Sequence, residues 1–262
     1  MLKRWLKRAS SLIVFLLLWE FLPQAGLIDP ILVPPPSRVL ARGVALLADG
    51  VLLAHMWASL WRVFLGFTLA SAVAVPAGIV LGLLPGLEEY MDLLIHALRP
   101  LAPPAWIPLA ILWFGIGNKP AIFIIFMGTV FAMFTGVLSA AKGVDKRLVK
   151  TGLTLGATPR QVILHVVLPS LSPAIFAQLR IGIGLAWMCV IASEMVAVRR
   201  GLGFMMMEAR NLFRTEDILL GMIVVGILGL GLDSILRLIE HRVLRWQKGL
   251  RAYELFGNIG RP

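Results

Sequence analysis

Residues 63–87 read VFLGFTLASAVAVPAGIVLGLLPGL, a run of 25 residues without a charged side chain between Arg62 and Glu88. An apolar stretch of about 20 residues is long enough to cross the hydrocarbon core of a bilayer as a helix. Within the run a small residue recurs at every fourth position, namely Gly66, Ala70, Ala74, Gly78 and Gly82. Such a stripe lets a second membrane helix approach closely. The stretch therefore predicts a membrane-spanning helix with one face packed against another helix.

The composition of the whole chain extends this prediction. Of its 262 residues, 59% are hydrophobic and 15% are charged, whereas ordinary soluble domains carry about 25% charged residues. In lipid only α-helices and closed β-barrels satisfy the backbone polar groups. The apolar runs are long and continuous, which favours helices over the short alternating segments of a barrel. The sequence predicts an all-α polytopic membrane protein and excludes a soluble globule.

Five further apolar segments bring the predicted total to about six transmembrane helices. They cover residues 10–28, 99–114, 120–141, 169–198 and 218–239. The segment at 99–114 holds four prolines within nine residues, which kink or break a helix. Broken backbone at membrane depth is tolerated only against protein or a wet cavity. We therefore include Pro104 and Trp106 among the candidates for lining a translocation pathway.

The basic residues predict the orientation of the chain. The formal net charge is +11, and the positive-inside rule accounts for it without invoking a nucleic-acid partner. With the N-terminus in the cytoplasm, fifteen Lys and Arg residues lie in cytoplasmic segments and seven in external ones. Both termini are therefore predicted to be cytoplasmic. The predicted organisation is an N-terminal span and external segment (1–50), a core transmembrane domain (51–245) and a basic cytoplasmic tail (246–262), with Ser37 capping a short external amphipathic helix through Leu47.

Residues 146–173, KRLVKTGLTLGATPRQVILHVVLPSLSP, predict two short helices around a turn on the cytoplasmic side. Gly156 suits a helix C-terminus, where a left-handed residue is needed. Thr158 is the predicted cap of the second helix, and Gln161 completes a capping box. Pro169 is expected to end that helix. The hairpin (143–168) has two interpretations: an amphipathic loop on the lipid surface, or a docking element for a cytoplasmic partner.

The same segment resembles the cytoplasmic coupling motif of bacterial ABC importer permeases. Leu155-Gly156-Ala157 and Leu168-Pro169 match the motif, with eleven residues between Gly156 and Leu168. Lys150-Thr151-Gly152 stands where the family has Glu-Ala-Ala, so an ion pair made by that glutamate is absent or replaced. The resemblance implies that the hairpin contacts an ATPase through Leu155, Gly156, Ala157, Thr158, Arg160, Leu168 and Pro169.

Further motifs are similar to those of aliphatic sulfonate, taurine, nitrate and bicarbonate permeases. They lie at residues 106–117, 184–187, 192–195, 201–204 and 229–233 with Arg237. This resemblance implies the type I ABC importer permease fold, a homodimer in the bacterial inner membrane, a pair of cytoplasmic ATPase subunits that bind ATP and Mg, and an extracytoplasmic binding protein. The implied substrate is a small oxyanion; another small solute, such as a thiamine precursor, is the alternative.

Two charged residues fall inside the fifth predicted span. Arg180 and Glu194 are fourteen residues apart, which places them about 21 Å apart along a helix, too far to pair with each other. Charges at membrane depth are costly unless they face partners or water. Either neighbouring helices satisfy them, or they line the pathway together with Trp187. Asp233 and Arg237, spaced i,i+4, predict a structural pair near the cytoplasmic face.

Enzymes and other transporter classes are disfavoured by the motifs that the sequence lacks. It has no Gly-x-x-x-x-Gly-Lys-Ser/Thr nucleotide loop, and its four histidines lack metal-ligand spacing. We therefore expect no catalytic residue, no bound metal and no cofactor in this chain, and no nucleic-acid partner. A secondary transporter, the rival function, would show inverted repeats and several acidic residues at mid-membrane. A membrane-embedded hydrolase would need clustered His, Asp or Ser residues.

The six-span topology predicts the side of the membrane for two positions. A reporter fused after Arg251 is expected to be active as a cytoplasmic fusion, and one inserted at Asn118 as an external fusion. Paired alkaline phosphatase and green fluorescent protein fusions measure both, since each reporter is active on only one side. Inverted activities at the two positions would contradict the predicted orientation.

Overall fold

The computed structural model describes residues 2–245 except 85, 87–89, 91–92, 94, 96 and 99–100, with side chains from residue 13 onward. The described part is helical and contains no β-strand. Its helices are α1 (Leu2–Gln24), α2 (Pro36–Ala48), α3 (Val51–Leu83), a 3₁₀ turn (Pro103–Trp106), α4 (Ile107–Phe114), α5 (Asn118–Lys142), α6 (Lys146–Thr154), α7 (Pro159–Ala197), α8 (Leu202–Asn211) and α9 (Thr215–Val243).

Four of these helices are long and apolar enough to cross a membrane. Within the described residues they are α3, α5, α7 and α9, which correspond to the second, fourth, fifth and sixth predicted spans. The first and third predicted spans correspond to shorter apolar helices, Ile13–Gln24 and Pro103–Phe114. The predicted all-α membrane architecture is confirmed. The predicted tail, 246–262, and the start of the third span, 99–100, lie outside the described residues.

The small-residue stripe of α3 packs against α5, as predicted. Ala70 and Ala74 are fully buried. A Cβ added to Gly66 would lie 2.7 Å from Ile125, and one added to Gly78 would lie 3.0 Å from the Phe134 carbonyl oxygen. The two backbones therefore approach more closely than any side chain at these positions would allow.

Helix α5 lies at the centre of the bundle, because its opposite face packs against α7. A Cβ at Gly136 of α5 would overlap the side chain of Gln178, and one at Gly182 of α7 would overlap Met133. Helices α8 and α9 then pack on α7. Gly221 of α9, for example, lies directly against Met206 of α8. The order of layers is therefore α3, α5, α7 and then the α8–α9 pair.

Helix α2 covers the end of the bundle where α3 and α9 begin. Val39, Gly43 and Leu46 form its buried face, and Gly43 packs on Leu220 of α9. The prediction that Ser37 caps α2 is wrong, because the N-cap is Pro35 without a side-chain bond. The Ser37 hydroxyl instead donates to Glu20 Oε1 of α1 at 2.7 Å.

An ion pair also joins α2 to α9. Arg42 Nε donates to Asp217 Oδ1 of α9 at 2.7 Å. The hydrogen bond to the Asp217 carboxylate raises the pKa of the Arg42 guanidinium, so this guanidinium stays charged at any physiological pH. Arg42, a polar residue of this amphipathic helix, therefore contacts α9.

The proline-rich third segment is broken, as predicted. Pro103–Trp106 forms a 3₁₀ turn, and α4 follows for eight residues until Gly115, where φ is +73°. Its aromatic side chains gather on Phe123 of α5, with ring centroids 6.1 Å from Trp106 and 5.4 Å from Phe114. Edge-on and tilted ring contacts of this kind stabilise the packing beyond area burial alone.

Two predicted helix boundaries are wrong. Helix α7 does not end at Pro169 but continues through it to Ala197, because a π-helical turn, Ile163–Val167, precedes the proline and relieves the clash of its ring with the preceding turn. Helix α3 starts at Val51 rather than at Val63. Arg62, which the sequence suggested as the boundary of the span, therefore lies inside the helix and is buried.

The α3–α5 contact predicts opposite effects for two glycine-to-alanine changes. Alanine favours a helix over glycine by up to about 1 kcal/mol, so Gly231→Ala in α9, which has open space around it, is expected to leave thermal stability unchanged or raised. Gly78→Ala is expected to lower the midpoint of unfolding, since the added methyl group collides with the α5 backbone at a cost of about 1–3 kcal/mol. Thermal unfolding of both variants in detergent measures the difference; equal midpoints would contradict the close contact.

Candidate functional site

The predicted cytoplasmic hairpin exists as two helices joined by a tight turn. Helix α6 ends in a left-handed glycine, Gly156, with φ +86°. The N–H of Ala157 donates to the Gly152 carbonyl at 3.1 Å, and the N–H of Gly156 to the Leu153 carbonyl at 3.0 Å. This pair of bonds is the Schellman arrangement, which closes a helix end on a residue without a side chain.

The second helix begins with the predicted capping box. The N–H of Thr158 donates to Gln161 Oε1 at 2.8 Å, and the N–H of Gln161 donates to Thr158 Oγ1 at 3.4 Å. Val162 and Val167 are buried with Ala141 and Leu171, which anchors this helix on the bundle. The hairpin is therefore a folded element with a fixed turn.

The turn itself faces away from the rest of the chain. The side chain of Leu155 is 82% exposed, and Gly156, Thr158 and Arg160 are exposed as well, whereas Ala157, Leu168 and Pro169 are half-buried. A Cβ at Gly156 would meet nothing within 4 Å. The side chain of Leu155 and the backbone of Gly156 are therefore accessible at the tip of the hairpin.

A buried charge network occupies the opposite end of the bundle. The Glu194 side chain of α7 is fully buried, and Arg62 Nη1 of α3 donates to its Oε1 at 2.5 Å. The Ser59 hydroxyl lies 2.8 and 2.9 Å from the two carboxylate oxygens and accepts the N–H of Leu202 at 2.9 Å. The N–H of Gly203 donates to Glu194 Oε2 at 2.9 Å. The carboxylate therefore has a counter-ion and sits at the positive N-terminus of α8.

Arg62 connects this network to the start of α5 and to the α7–α8 connection. Its Nε donates to Asn118 Oδ1 at 2.8 Å, and its Nη1 to the Arg200 carbonyl at 2.6 Å. A separate backbone bond joins the N–H of Gly117 to the Ala197 carbonyl at 2.8 Å. The network thus joins the first third of α3 to the start of α5, the end of α7 and the start of α8.

The glycines at the start of α8 make room for the carboxylate. A Cβ at Gly201 would overlap the Glu194 carboxyl group, and one at Gly203 would lie 2.6 Å from the Ile191 carbonyl oxygen. The N–H of Gly201 also donates to Nδ1 of His55 at 3.0 Å. The Gly-Leu-Gly motif at 201–203 therefore serves to seat Glu194.

Sequence reasoning missed Arg62, Ser59 and Asn118 in this network. The signal that could have found Arg62 was the lone carboxylate itself, because a buried acid requires a basic partner. The apolar residues before Arg62, among them Leu52, Leu53 and Met56, also indicated that the helix begins earlier than the arginine.

Arg180 is held by a second ion-pair cluster, between α7 and α9. Its Nε donates to Asp233 Oδ1 at 3.0 Å, and its Nη1 lies 3.8 Å from Glu240 Oε2. Arg237 Nε donates to Asp233 Oδ2 at 2.8 Å, which confirms the predicted i,i+4 pair. Arg180 and Glu194 are thus each satisfied by a neighbouring helix, and a pathway role for either stays a prediction.

The remaining pathway candidates are Trp187 on α7 and two residues of the 3₁₀ turn, Pro104 and Trp106. Trp187 is buried against α9, and among the described residues its indole N–H has no hydrogen-bond partner. Pro104 is exposed, while Trp106 is half-buried against Phe123. The pathway role of these three residues also stays a prediction.

A cavity of about 510 Å³ lies between α5, α7 and the turn at 101–103. Its polar side chains are Thr135, Ser139 and Gln178, and Gly128 and Gly136 also line it. A Cβ at Gly128 or Gly136 would overlap Cys189 or Gln178 of α7, so the two helices pack closely beside this cavity. The sequence analysis did not single out Gln178.

The comparison with known sequences gives a match over most of the chain. The family described as "Binding-protein-dependent transport system inner membrane component" matches residues 74–245. The chain is 40% identical to a Methanocaldococcus jannaschii protein assigned as an ABC transporter permease, with 89% of each chain covered. It is 34% identical to the taurine transport system permease protein TauC of Escherichia coli, covering 90% of this chain and 88% of TauC. It is 33% identical to the bicarbonate transport system permease protein CmpB of Synechocystis, covering 88% of each.

The fold is also similar to that of a solved transporter. Two crystal forms described as inward-facing conformations of the MetNI methionine ABC transporter align with TM-scores of 0.55 and 0.58. The alignments cover 72% and 76% of this chain and 96% of the matched chain, at 21% and 20% identity. This likeness shows the type I importer permease fold.

The buried network predicts the cost of removing one charge. Arg62→Ala is expected to destabilise the protein by about 3–5 kcal/mol, because it leaves the Glu194 carboxylate buried without its counter-ion. The double change Arg62→Met with Glu194→Met is expected to cost less than the single change. Arg237→Ala is the control, since this exposed member of an ion pair is worth about 1 kcal/mol or less. Unfolding of the purified protein measures all three; an Arg62→Ala protein as stable as the control would contradict the network.

Proposed function

Because the chain belongs to the family of binding-protein-dependent transport system inner membrane components, we propose that this ABC importer permease carries a small oxyanion into the cell. A sulfonate, taurine, nitrate or bicarbonate fits the proposal. Taurine and bicarbonate, which appear in the names of two relatives, share a small size and negatively charged oxygen atoms. The chain itself is a transport component, and ATP hydrolysis is assigned to a separate subunit.

The assembly that we propose has two copies of this chain at its centre. A pair of cytoplasmic ATPase subunits sits on the hairpins, and a soluble binding protein delivers the substrate at the external face. The N- and C-termini lie in the cytoplasm, so that the turn at Gly156 faces the ATPase and the Arg62–Glu194 network lies towards the outside. The excess of basic residues in the cytoplasmic segments supports this orientation.

The observation that supports the proposed coupling between the ATPase and the transport pathway is the continuity of α7. One helix of 39 residues runs from the capping box at Thr158 to the buried network at Glu194. At about 1.5 Å per residue it is about 58 Å long. A continuous helix therefore connects the exposed turn with the far end of the bundle, and we propose that displacement of the turn is transmitted along it.

We propose that transport occurs by alternating access. ATP binding closes the two ATPase subunits and moves the hairpins of the two copies towards each other. The helices then open outwards to accept the oxyanion from the binding protein, and hydrolysis restores the inward-open state. The intrasubunit network keeps the external parts of α3, α5, α7 and α8 together, so each copy moves as one body.

Gly156→Asp is expected to uncouple transport from ATP hydrolysis. The structure leaves open space at this position, so the chain folds and inserts. The left-handed backbone costs a residue with a side chain about 1 kcal/mol or more, and the carboxylate becomes buried once the hairpin docks. We expect either loss of the ATPase during purification or loss of substrate-stimulated hydrolysis, measured on the complex in proteoliposomes with taurine and the binding protein.

Gly50→Asp is the matched control for this experiment. Gly50 has a similar backbone, with φ +71° and open space for a side chain, but precedes α3 at the opposite end of the bundle. It carries the same conformational cost without touching the docking surface. Transport by Gly156→Asp at the rate of Gly50→Asp would show that the hairpin is not the coupling element.

A further inference from the structure

We propose that the side-chain amide of Gln178 contacts the permeant anion within the membrane, in the cavity between α5 and α7, a role that rests on the proposed import of a small oxyanion. Gln178 lies ten residues after Leu168 and nineteen before Ala197 in α7, about 15 and 28 Å from these positions along the helix. The cavity thus lies at membrane depth, nearer to the hairpin than to the buried network.

The polarity of this cavity is unusual for its depth. Polar groups in a membrane helix are costly unless they have partners or face water. The Thr135 and Ser139 hydroxyls are satisfied within α5, donating to the carbonyls of Phe131 at 3.0 Å and Thr135 at 2.9 Å. No described group hydrogen-bonds the amide of Gln178. The side chain that lines the cavity therefore retains two N–H donors for a solute.

Gly136 is what allows the amide to occupy this position. A Cβ added there would overlap Oε1 of Gln178 and lie 2.6 Å from its Nε2. The absence of a side chain on α5 lets the amide lie against the α5 backbone without being covered by it. Gly128 permits a second close contact beside the same cavity, since a Cβ there would overlap Cys189 Sγ and lie 2.9 Å from Pro103 Cγ.

The charges that could compete for an anion are engaged elsewhere. Arg180, two residues after Gln178, points to Asp233 and Glu240 of α9, and Arg62 binds Glu194. Among the described residues, none that lines the cavity is charged. An oxyanion therefore meets neutral donors and no carboxylate. A neutral contact suits a passage, because a permeant must bind well enough to enter and weakly enough to leave.

The test replaces the amide while keeping its volume. Gln178→Met removes both donors, and Gln178→Glu also adds a negative charge. Uptake of labelled taurine, ethanesulfonate, nitrate and bicarbonate is measured in proteoliposomes containing the complete complex and its binding protein. Loss of one hydrogen bond to a charged solute corresponds to about tenfold or more in rate at low substrate concentration, and Gln178→Glu should be slower still. Met188→Leu, a change of a 71% exposed residue on the same helix, should transport at the parental rate.

The outcomes separate this contact from the proposed function. If the parental complex takes up none of the four anions, oxyanion import is wrong and the proposed contact is wrong with it. If the parental complex is active and Gln178→Met transports within twofold of Met188→Leu, the contact alone is wrong. Basal ATP hydrolysis and copurification of the ATPase confirm that each variant is assembled.

A cysteine-labelling experiment tests the contact between Gln178 and the anion if the Gln178→Met complex does not assemble. In a Cys189→Ala background, Gln178→Cys is labelled in the complete complex with 2-sulfonatoethyl methanethiosulfonate, which is itself a small sulfonate. We expect the cysteine to react, and saturating taurine to slow its reaction during ATP turnover. Met188→Cys serves as the unprotected control. Absence of reaction, or equal protection at both positions, overturns the proposal.

Discussion

The ion pair between Arg62 and Glu194 is the constraint around which the rest of the bundle is arranged. A carboxylate with no exposed surface is tolerated only because a guanidinium, a hydroxyl and the N-terminus of α8 converge on it. Meeting these requirements brings α3, α7 and α8 to one point, and Asn118 adds α5. The glycines at 201 and 203 follow from the same need, since a side chain there would displace the carboxylate.

The two faces of α5 have different roles. The face towards α3 contains fully buried apolar residues such as Ile125 and Val137 that fit the small-residue stripe. The face towards α7 carries Gly128, Gly136 and short polar side chains, and a cavity remains beside Gln178. The first face gives rigidity, whereas the second gives polar space at membrane depth. Both faces depend on glycine for close contact with the neighbouring helix.

Helix α7 links these features to the cytoplasmic hairpin. Its first turns form the capping box, a π-helical turn carries the helix through Pro169, and its last turns supply Glu194. The ion pairs of Arg180 attach its middle to α9. Helix α7 therefore contacts its neighbours at several points along its length. Under the proposed mechanism, a movement of the hairpin at one end of α7 changes access to the pathway at the other end.

The sequence by itself determined the membrane class, four long spans and the hairpin with its left-handed Gly156 and Thr158 capping box. Each of these depends on local properties, such as the length of an apolar run or the backbone preference of a glycine or proline. The tertiary structure decided that Arg62 lies inside α3 and binds Glu194, that α7 continues past Pro169, and that Gln178 rather than Arg180 lines the cavity. The partners in these contacts are far apart in the chain, Arg62 and Glu194 by 132 residues. Which side chains meet is set by helix packing in three dimensions, and no local pattern encodes it.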